Sequence, residues 1–327
     1  MTASIIDRPV FTPSSTADTT ATLERFLNAY WLRPENAFWM TLRSRLLATI
    51  PFDTPSIDVS CGDGLFSFLH AGGALGSEFD VFASTGGLER VTGENADMFD
   101  VRDECYSPRI VQTPAWRISD GADLKLALLA KAGALDFYER LHRHDNNEPL
   151  PFEDAEFATV YCNSAYWVRA IVPFLRELAR VTRDDGRIVL HVKLSAMHAF
   201  NLAAFRRQLG SRFLELIDRG RAACWPTLAT RGEWESRFET AGLEIESATP
   251  LATRTHAQVW DVGLRPIAPL LVRMANSLRP DTRAAIKRDW VALLMELALP
   301  LCDPGLSLLP AAEPAEMQYV LRPRRAR

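Results

Sequence analysis

Little in this sequence can form a disulfide framework or a metal knuckle. The five cysteines, Cys61, Cys105, Cys162, Cys224 and Cys302, are odd in number, far apart and without a CxxC pair, a pattern that points to a reducing cytoplasm. No charge sign dominates, because 37 Lys and Arg stand against 41 Asp and Glu for a net charge of −4. The concentrated basic surface that nucleic acid requires is therefore not expected. Long apolar runs are missing too. The greasiest stretch, WVALLMELALPLCDPGLSLLP, is broken by Glu296, Pro300, Asp303 and Pro304, short of the ~20 uninterrupted residues of a membrane span. The start, MTASIIDRPV, has a two-residue apolar run before Asp7 and no signal-peptide core. No internal repeat is visible, and the basic ending RPRRAR reads as a solvated tail.

What remains is a chain with room for one large domain and additions, or for two modest domains. The small polar stretch TPSSTADTT has too little to bury, so residues 1–22 are expected to be a flexible tail. Residues 23–55 carry apolar positions at spacings of three and four, broken at Arg33-Pro34, and predict two short helices. From residue 56 onward short β-branched runs alternate with helical ones, the pattern of a parallel sheet covered on both faces. The expected strands are Ser56–Ser60, Trp116–Gly121, Tyr138–His144, Phe157–Cys162 and Arg187–Leu194. Helices are expected at Leu124–Ala134 and Val168–Val181, with the turn Arg183–Gly186 releasing the next strand. A helix stopped by Gly242, a sixth strand, helices over 264–299 and a last strand in EMQYVLRP complete an α/β, doubly wound, mostly parallel seven-stranded sheet. Its core is expected over 56–251, with an inserted segment 73–115 after the first helix and a helical addition over 252–327.

The stretch SIDVSCGDGLFSFLH joins a short strand to two glycines and a helix start, which gathers backbone N–H groups and the positive end of a helix dipole. The dinucleotide fingerprint needs a third glycine where Ser67 stands. DVSCGDG instead resembles the first motif, D-x-G-x-G-x-G, of the class I Rossmann-like S-adenosylmethionine-dependent methyltransferases, with Ser60 at the first glycine. Two carboxylates compete for the ribose hydroxyls. Asp80 lies at the usual distance, but the glycine-rich sequence after it is a poor helix. Asp123 sits in a strand, G-x-D, helix, strand order and is preferred, at the expense of the insertion. HDNNEPLPFEDAEF resembles the third and fourth segments of the family, where Asp145 and Asn146 match the positions that meet adenine. A metal site built on His142 and His144 is disfavoured, because spacing places no further ligand. The closing RELARVTRDDGRIVLHV resembles the R-V-L-K-P-G-G turn, with Asp184 and Asp185 as departures.

The resemblance, narrowed to the ubiquinone/menaquinone-methyltransferase-like group, implies an enzyme that binds S-adenosyl-L-methionine through Asp58, Ser60, Gly62, Asp63, Gly64, Asp123, Asp145, Asn146 and Asn163. It implies in-line methyl transfer to a small-molecule acceptor at O, N or C, with Tyr166 and Trp167 as substrate-side candidates or packing residues. Were a base needed, His191, His198 and His256 are available by position. His191 lies in a strand and reads as structural. His256, in RTHAQVWDVGLRP beyond the sixth strand, where the resemblance implies a substrate-facing segment, is the catalytic candidate, with a structural role as the alternative for each of the three. The insertion reads as a lid or a structural flap. The apolar runs IAPLLVRMANSL and WVALLMELALPL suit a partly apolar pocket, a homodimer face or a self-contained helix pair. Alternatives are a nicotinamide-dependent oxidoreductase on a similar sheet and a non-catalytic S-adenosylmethionine-binding protein.

Overall fold

The structure, a computed structural model, describes residues 16–83, 85, 98–100, 106–218, 225–261, 267–302 and 314–324. The expected tail up to residue 15, parts of the insertion and the last three residues of the basic ending lie outside them.

Helices α1 (Thr16–Ala29) and α2 (Pro34–Leu47) lead into β1 (Ser56–Val59) and α3 (Leu65–His70). The insertion contributes a small antiparallel pair, β2 (Ala74–Leu75) and β3 (Ile110–Gln112). Then follow β4 (Ile118–Asp123), α4 (Leu126–Gly133), β5 (Tyr138–Arg143), β6 (Phe157–Cys162), α5 (Ile171–Val181) and β7 (Thr182–Lys193). The short helices α6 (Met197–Phe200), α7 (Arg206–Leu209) and α8 (Ser211–Asp218) precede α9 (Arg231–Thr240) and β8 (Leu243–Ala252). Finally come α10 (Arg254–Asp261), α11 (Ala268–Asn276), α12 (Pro280–Ala298) and β9 (Glu316–Pro323).

Seven strands form one sheet in the order β5-β4-β1-β6-β7-β9-β8. Every pairing from β5 to β7 is parallel, and β9 runs antiparallel to both β7 and β8. This is the expected mostly parallel seven-stranded α/β sheet. Strand order reverses around β1, so the loops leaving β1, β4 and β6 open at one crevice, where ligands of such sheets bind.

Most element ends shift by one to five residues from the sequence reading, and three differences bear on the packing. Helix α1 starts at Thr16, ahead of Leu23, and Thr19 is already buried. Strand β4 begins at Ile118, because the Trp116 ring turns away to stack on Phe52 with centroids 4.7 Å apart. The residues Arg183–Gly186 lie within β7, yet Phe157 pairs with Thr182 and Thr159 with Arg187. They therefore bulge out between two paired positions and turn the chain as expected.

One buried charge cluster ties the first helices to the far half of the sheet. Glu316, on β9, receives Arg43 Nε at 2.6 Å, Lys193 Nζ at 2.6 Å and Trp39 Nε1 at 3.0 Å. The Lys193 ammonium lies 4.0 Å from the centroid of the Trp39 ring. Burial alone would push the Glu316 carboxyl up, but Arg43 and Lys193 outweigh it and hold it at about 2. Its contribution to stability is therefore complete above the ordinary 4.5 and is lost as pH falls through about 2. Glu316→Ala strands two cations in the interior and should destabilise the fold by about 3–5 kcal/mol in urea unfolding at pH 7; a loss below ~1 kcal/mol would show that the cluster is not what joins α2 to the sheet.

Candidate functional site

The chain leaves β1 through three left-handed residues, Ser60 at φ +66°, Gly62 at +61° and Gly64 at +74°. The two glycines serve different ends. A Cβ on Gly62 would meet nothing within 4 Å, so its backbone faces open space. A Cβ on Gly64 would come within 3.0 Å of the Tyr138 ring and 3.1 Å of Ala132 Cβ, so there the small residue allows close packing.

Asp123, the last residue of β4, reaches across to this turn. Its Oδ2 accepts from Gly62 N at 3.1 Å, and its Oδ1 from Lys125 N at 2.9 Å. Burial raises its pKa against the lowering effect of those two amides. Beyond β5, Asn146 Nδ2 donates to Ser60 Oγ at 2.6 Å. Its neighbour Asp145 accepts from Asn147 N and Nδ2, both at 2.9 Å, which lowers its pKa. Asp63 accepts from Leu65 N at 3.2 Å and from the hydroxyl of Tyr30 at 3.3 Å, and burial raises its pKa. Asn163 stands half-buried just past the end of β6. The structure thus brings Ser60, Gly62, Asp63, Asp123 and Asn146 together at one end of the sheet, with Asp145 and Asn163 on the loops beside them.

Asp80, the rejected ribose candidate, is engaged elsewhere. Its Oδ2 receives Trp31 Nε1 at 2.8 Å and Arg283 Nε at 2.9 Å.

Asp58 departs from the expected ligand role. It is buried, and its Oδ2 accepts from Ser67 Oγ at 2.5 Å and from the Tyr138 hydroxyl at 2.8 Å, while Oδ1 has no partner. Burial pushes its pKa up to about 6, against the lowering effect of those two hydrogen bonds. It braces the turn from beneath, and Ser67 serves as its donor where a dinucleotide fingerprint would have glycine.

The catalytic candidate is likewise corrected. His256 is 1 % exposed; its Nδ1 accepts from Thr253 N at 3.1 Å and its Nε2 bonds Leu301 O at 3.0 Å. With both nitrogens engaged and the ring tilted against Phe38, it has no free lone pair for a substrate proton. Tyr166 is buried, and its hydroxyl accepts from Arg43 Nη2 at 3.3 Å. That leaves Trp167, 45 % exposed, as the substrate-side candidate on the rim. His142 is held by Asp120 at 2.7 Å, and among the described residues no group of three or more His, Cys, Asp or Glu could hold a metal ion.

Sequence reasoning missed the outer wall. Tyr30 from α1 bonds Asp63, and Lys125 Nζ meets Asp100 Oδ2 at 2.7 Å. Lys131 Nζ donates to Phe99 O at 2.6 Å. No local motif marks these residues, which converge only through the insertion.

Residues 117–190, from the approach to β4 to within β7, match the family model described as a methyltransferase domain. No curated protein matches the chain. Among solved structures, a SAM-dependent methyltransferase from Thermotoga maritima is similar at 10% identity, with 94% of this chain and 100% of that chain covered and a TM-score of 0.47. Geranyl diphosphate C-methyltransferase from Streptomyces coelicolor A3(2) is similar at 13% identity, over 86% of this chain and 73% of that one, with a TM-score of 0.40. The sheet order β5-β4-β1-β6-β7-β9-β8 makes an α/β fold with a mostly parallel seven-stranded sheet, as in Rossmann-like methyltransferases. Asp123, Asp145, Asn146 and Asn163 all lie within the stretch that matches the methyltransferase-domain model.

The bracing role of Asp58 has a pH signature. Because its native pKa lies above the ordinary 3.8, wild type gains stability relative to Asp58→Asn as pH falls through about 6. Between pH 7.5 and 5 the difference between the two proteins should move by about 1–1.5 kcal/mol in favour of wild type. Parallel urea midpoints across that range would remove the buried ionised carboxylate from the account.

Proposed function

We propose that the chain transfers a methyl group from S-adenosylmethionine to a small-molecule acceptor. The observation that carries this reading is the Asp123 carboxylate lying against the Gly62 amide at 3.1 Å, at the ends of neighbouring strands, with open space in front of Gly62. Each carboxylate oxygen of Asp123 keeps a further lone pair for a ribose hydroxyl. Ser60, Gly62, Asp63 and Gly64 would border the methionine side, while Asp145 and Asn146 would meet the adenine edge and Asn163 the region near the reacting carbon.

Charge supports the same ligand over a dinucleotide. The glycine turn is flanked by Asp58, Asp63 and Asp123, whose field suits a sulfonium and an ammonium group and opposes a pyrophosphate. The nearest cations, Lys125 and Lys131, are engaged by Asp100 and the Phe99 carbonyl.

The sulfonium supplies an already activated methyl carbon. The residues of this chain then need to hold donor and acceptor in line and keep water out. Burial of Tyr166 and rim exposure of Trp167 favour an acceptor that enters over Trp167 and rests on apolar surface. No proton step is assigned to His256. The narrower resemblance to the ubiquinone/menaquinone group is in keeping with a partly apolar acceptor.

Calorimetry on the full chain tests this. Wild type should bind S-adenosylhomocysteine and not NAD. Asp123→Ala should weaken S-adenosylhomocysteine binding at least tenfold, as expected for hydrogen bonds to a charged acceptor worth about 1.5–3 kcal/mol. Asp80→Ala, which breaks the buried pair with Arg283 and so lowers fold stability, should weaken that affinity less than Asp123→Ala does. Binding of NAD alone, or loss in Asp80→Ala with none in Asp123→Ala, overturns the reading.

A further inference from the structure

Every residue from Ala204 to Phe213 is exposed. The run contains Phe205, Leu209 and Phe213, 39, 39 and 37 % exposed and spaced every fourth residue. Between them stand Arg206, Arg207 and Arg212, all exposed and none paired with a carboxylate among the described residues. A segment whose only task was solvation would not hold two phenylalanines in water beside three unpaired guanidinium groups, least of all in a chain of net charge −4.

The segment is nonetheless fixed at both ends. Leu202 N donates to Asp261 Oδ2 at 2.6 Å, and Leu214 is buried. The Arg254 guanidinium lies 5.9 Å from the Phe200 ring, which holds α10 against α6. The chain enters this strap from the carboxyl end of β7, the end of the sheet that also carries Gly62 and Asp123. Gly210, at φ +78°, bends it between α7 and α8 so that it lies across the surface.

We propose that residues 202–214 are a docking surface for an anionic lipid bilayer. The guanidinium groups sit among phosphate headgroups, while Phe205, Leu209 and Phe213 enter the boundary with the acyl chains. The pairing of basic and apolar side chains at this spacing favours a lipid surface over a nucleic-acid duplex, which offers phosphates outside but keeps its base faces stacked within. Docking stands independently of methyl transfer. If the proposed function holds, it also places the acceptor end of the sheet against the bilayer, where a partly apolar acceptor resides.

Co-flotation of the full chain with vesicles of phosphatidylcholine alone, or containing one-third phosphatidylglycerol, tests the inference at low salt. Wild type should partition onto the anionic vesicles and not the neutral ones. Arg206→Gln, Arg207→Gln and Arg212→Gln should each weaken partitioning about fivefold, corresponding to about 1 kcal/mol per basic residue near an anionic surface. The double variant Phe205→Ser/Phe213→Ser should weaken it about tenfold or more. Leu293→Ser/Leu297→Ser, which alters two leucines each 60 % exposed on α12, should leave it unchanged. All altered side chains are exposed, and an unchanged melting temperature confirms that each variant is folded. No partitioning of wild type, undiminished partitioning of Phe205→Ser/Phe213→Ser, a gel shift of duplex DNA or RNA without vesicle binding, or a dimer on size exclusion that the same substitutions dissolve would each overturn it.

Discussion

Asp58 points its carboxylate into the space between α3 and β5, where Ser67 and Tyr138 both donate to one oxygen. For the Tyr138 hydroxyl to arrive there, its ring must pass over β4 and the glycine turn. Gly121 lies opposite Asp58 in the β1–β4 register, and a Cβ on it would come within 2.9 Å of the Tyr138 ring. Gly64 imposes the same condition from the turn, at 3.0 Å. Two positions without side chains are therefore what let an outer strand, a central strand and a helix share one buried acid. With the turn held from below, the amide of Gly62 is left facing Asp123 at the strand ends. The cradle depends on packing beneath it as much as on the groups that line it.

The two halves of the sheet use buried charge in opposite senses. Around β1 and β4 the interior gathers acids, and burial raises the pKa values of Asp58, Asp63 and Asp123. Around β7 and β9 the acid Glu316 is held ionised by Arg43 and Lys193 among Trp39, Tyr166 and Trp260. The first environment favours a cationic ligand. The second consumes its own charges and presents aromatic faces, so Tyr166 belongs to structure while its neighbour Trp167 remains at the rim. Adjacent positions in one loop thus fall on either side of the boundary between core and surface.

What was legible in the sequence follows from how each group is positioned. Asp123 could be read because strand, acid and helix follow in order, and a strand end fixes where its last side chain can reach. The parallel sheet was legible for the same reason, since β-branched and helical periods alternate from residue 56 onward. Asp58 belongs to the same motif but turns inward, and a motif gives residue type without side-chain direction. The buried setting of His256 is not legible in sequence, because its partners, Phe38 and the Leu301 carbonyl, come from distant segments that no local pattern connects. Tyr30 could not be found at all, since its contact with Asp63 spans from the first helix to the turn after β1.

The three additions to the core look separate in sequence but form one wall in space. Lys287 on α12 donates to the Ser77 carbonyl at 2.9 Å, Arg283 on the same helix pairs with Asp80, and Trp31, just past α1, donates to that same carboxylate. From there Phe82 packs on Phe99, Phe99 on Tyr30, and Tyr30 reaches Asp63. Asp80, set at the distance expected of a ribose acid, is instead the anchor of this wall. If the proposed function holds, specificity for the acceptor rests with residues outside the matched segment 117–190, because the first helices, the insertion and the last long helix that build this wall all lie outside it.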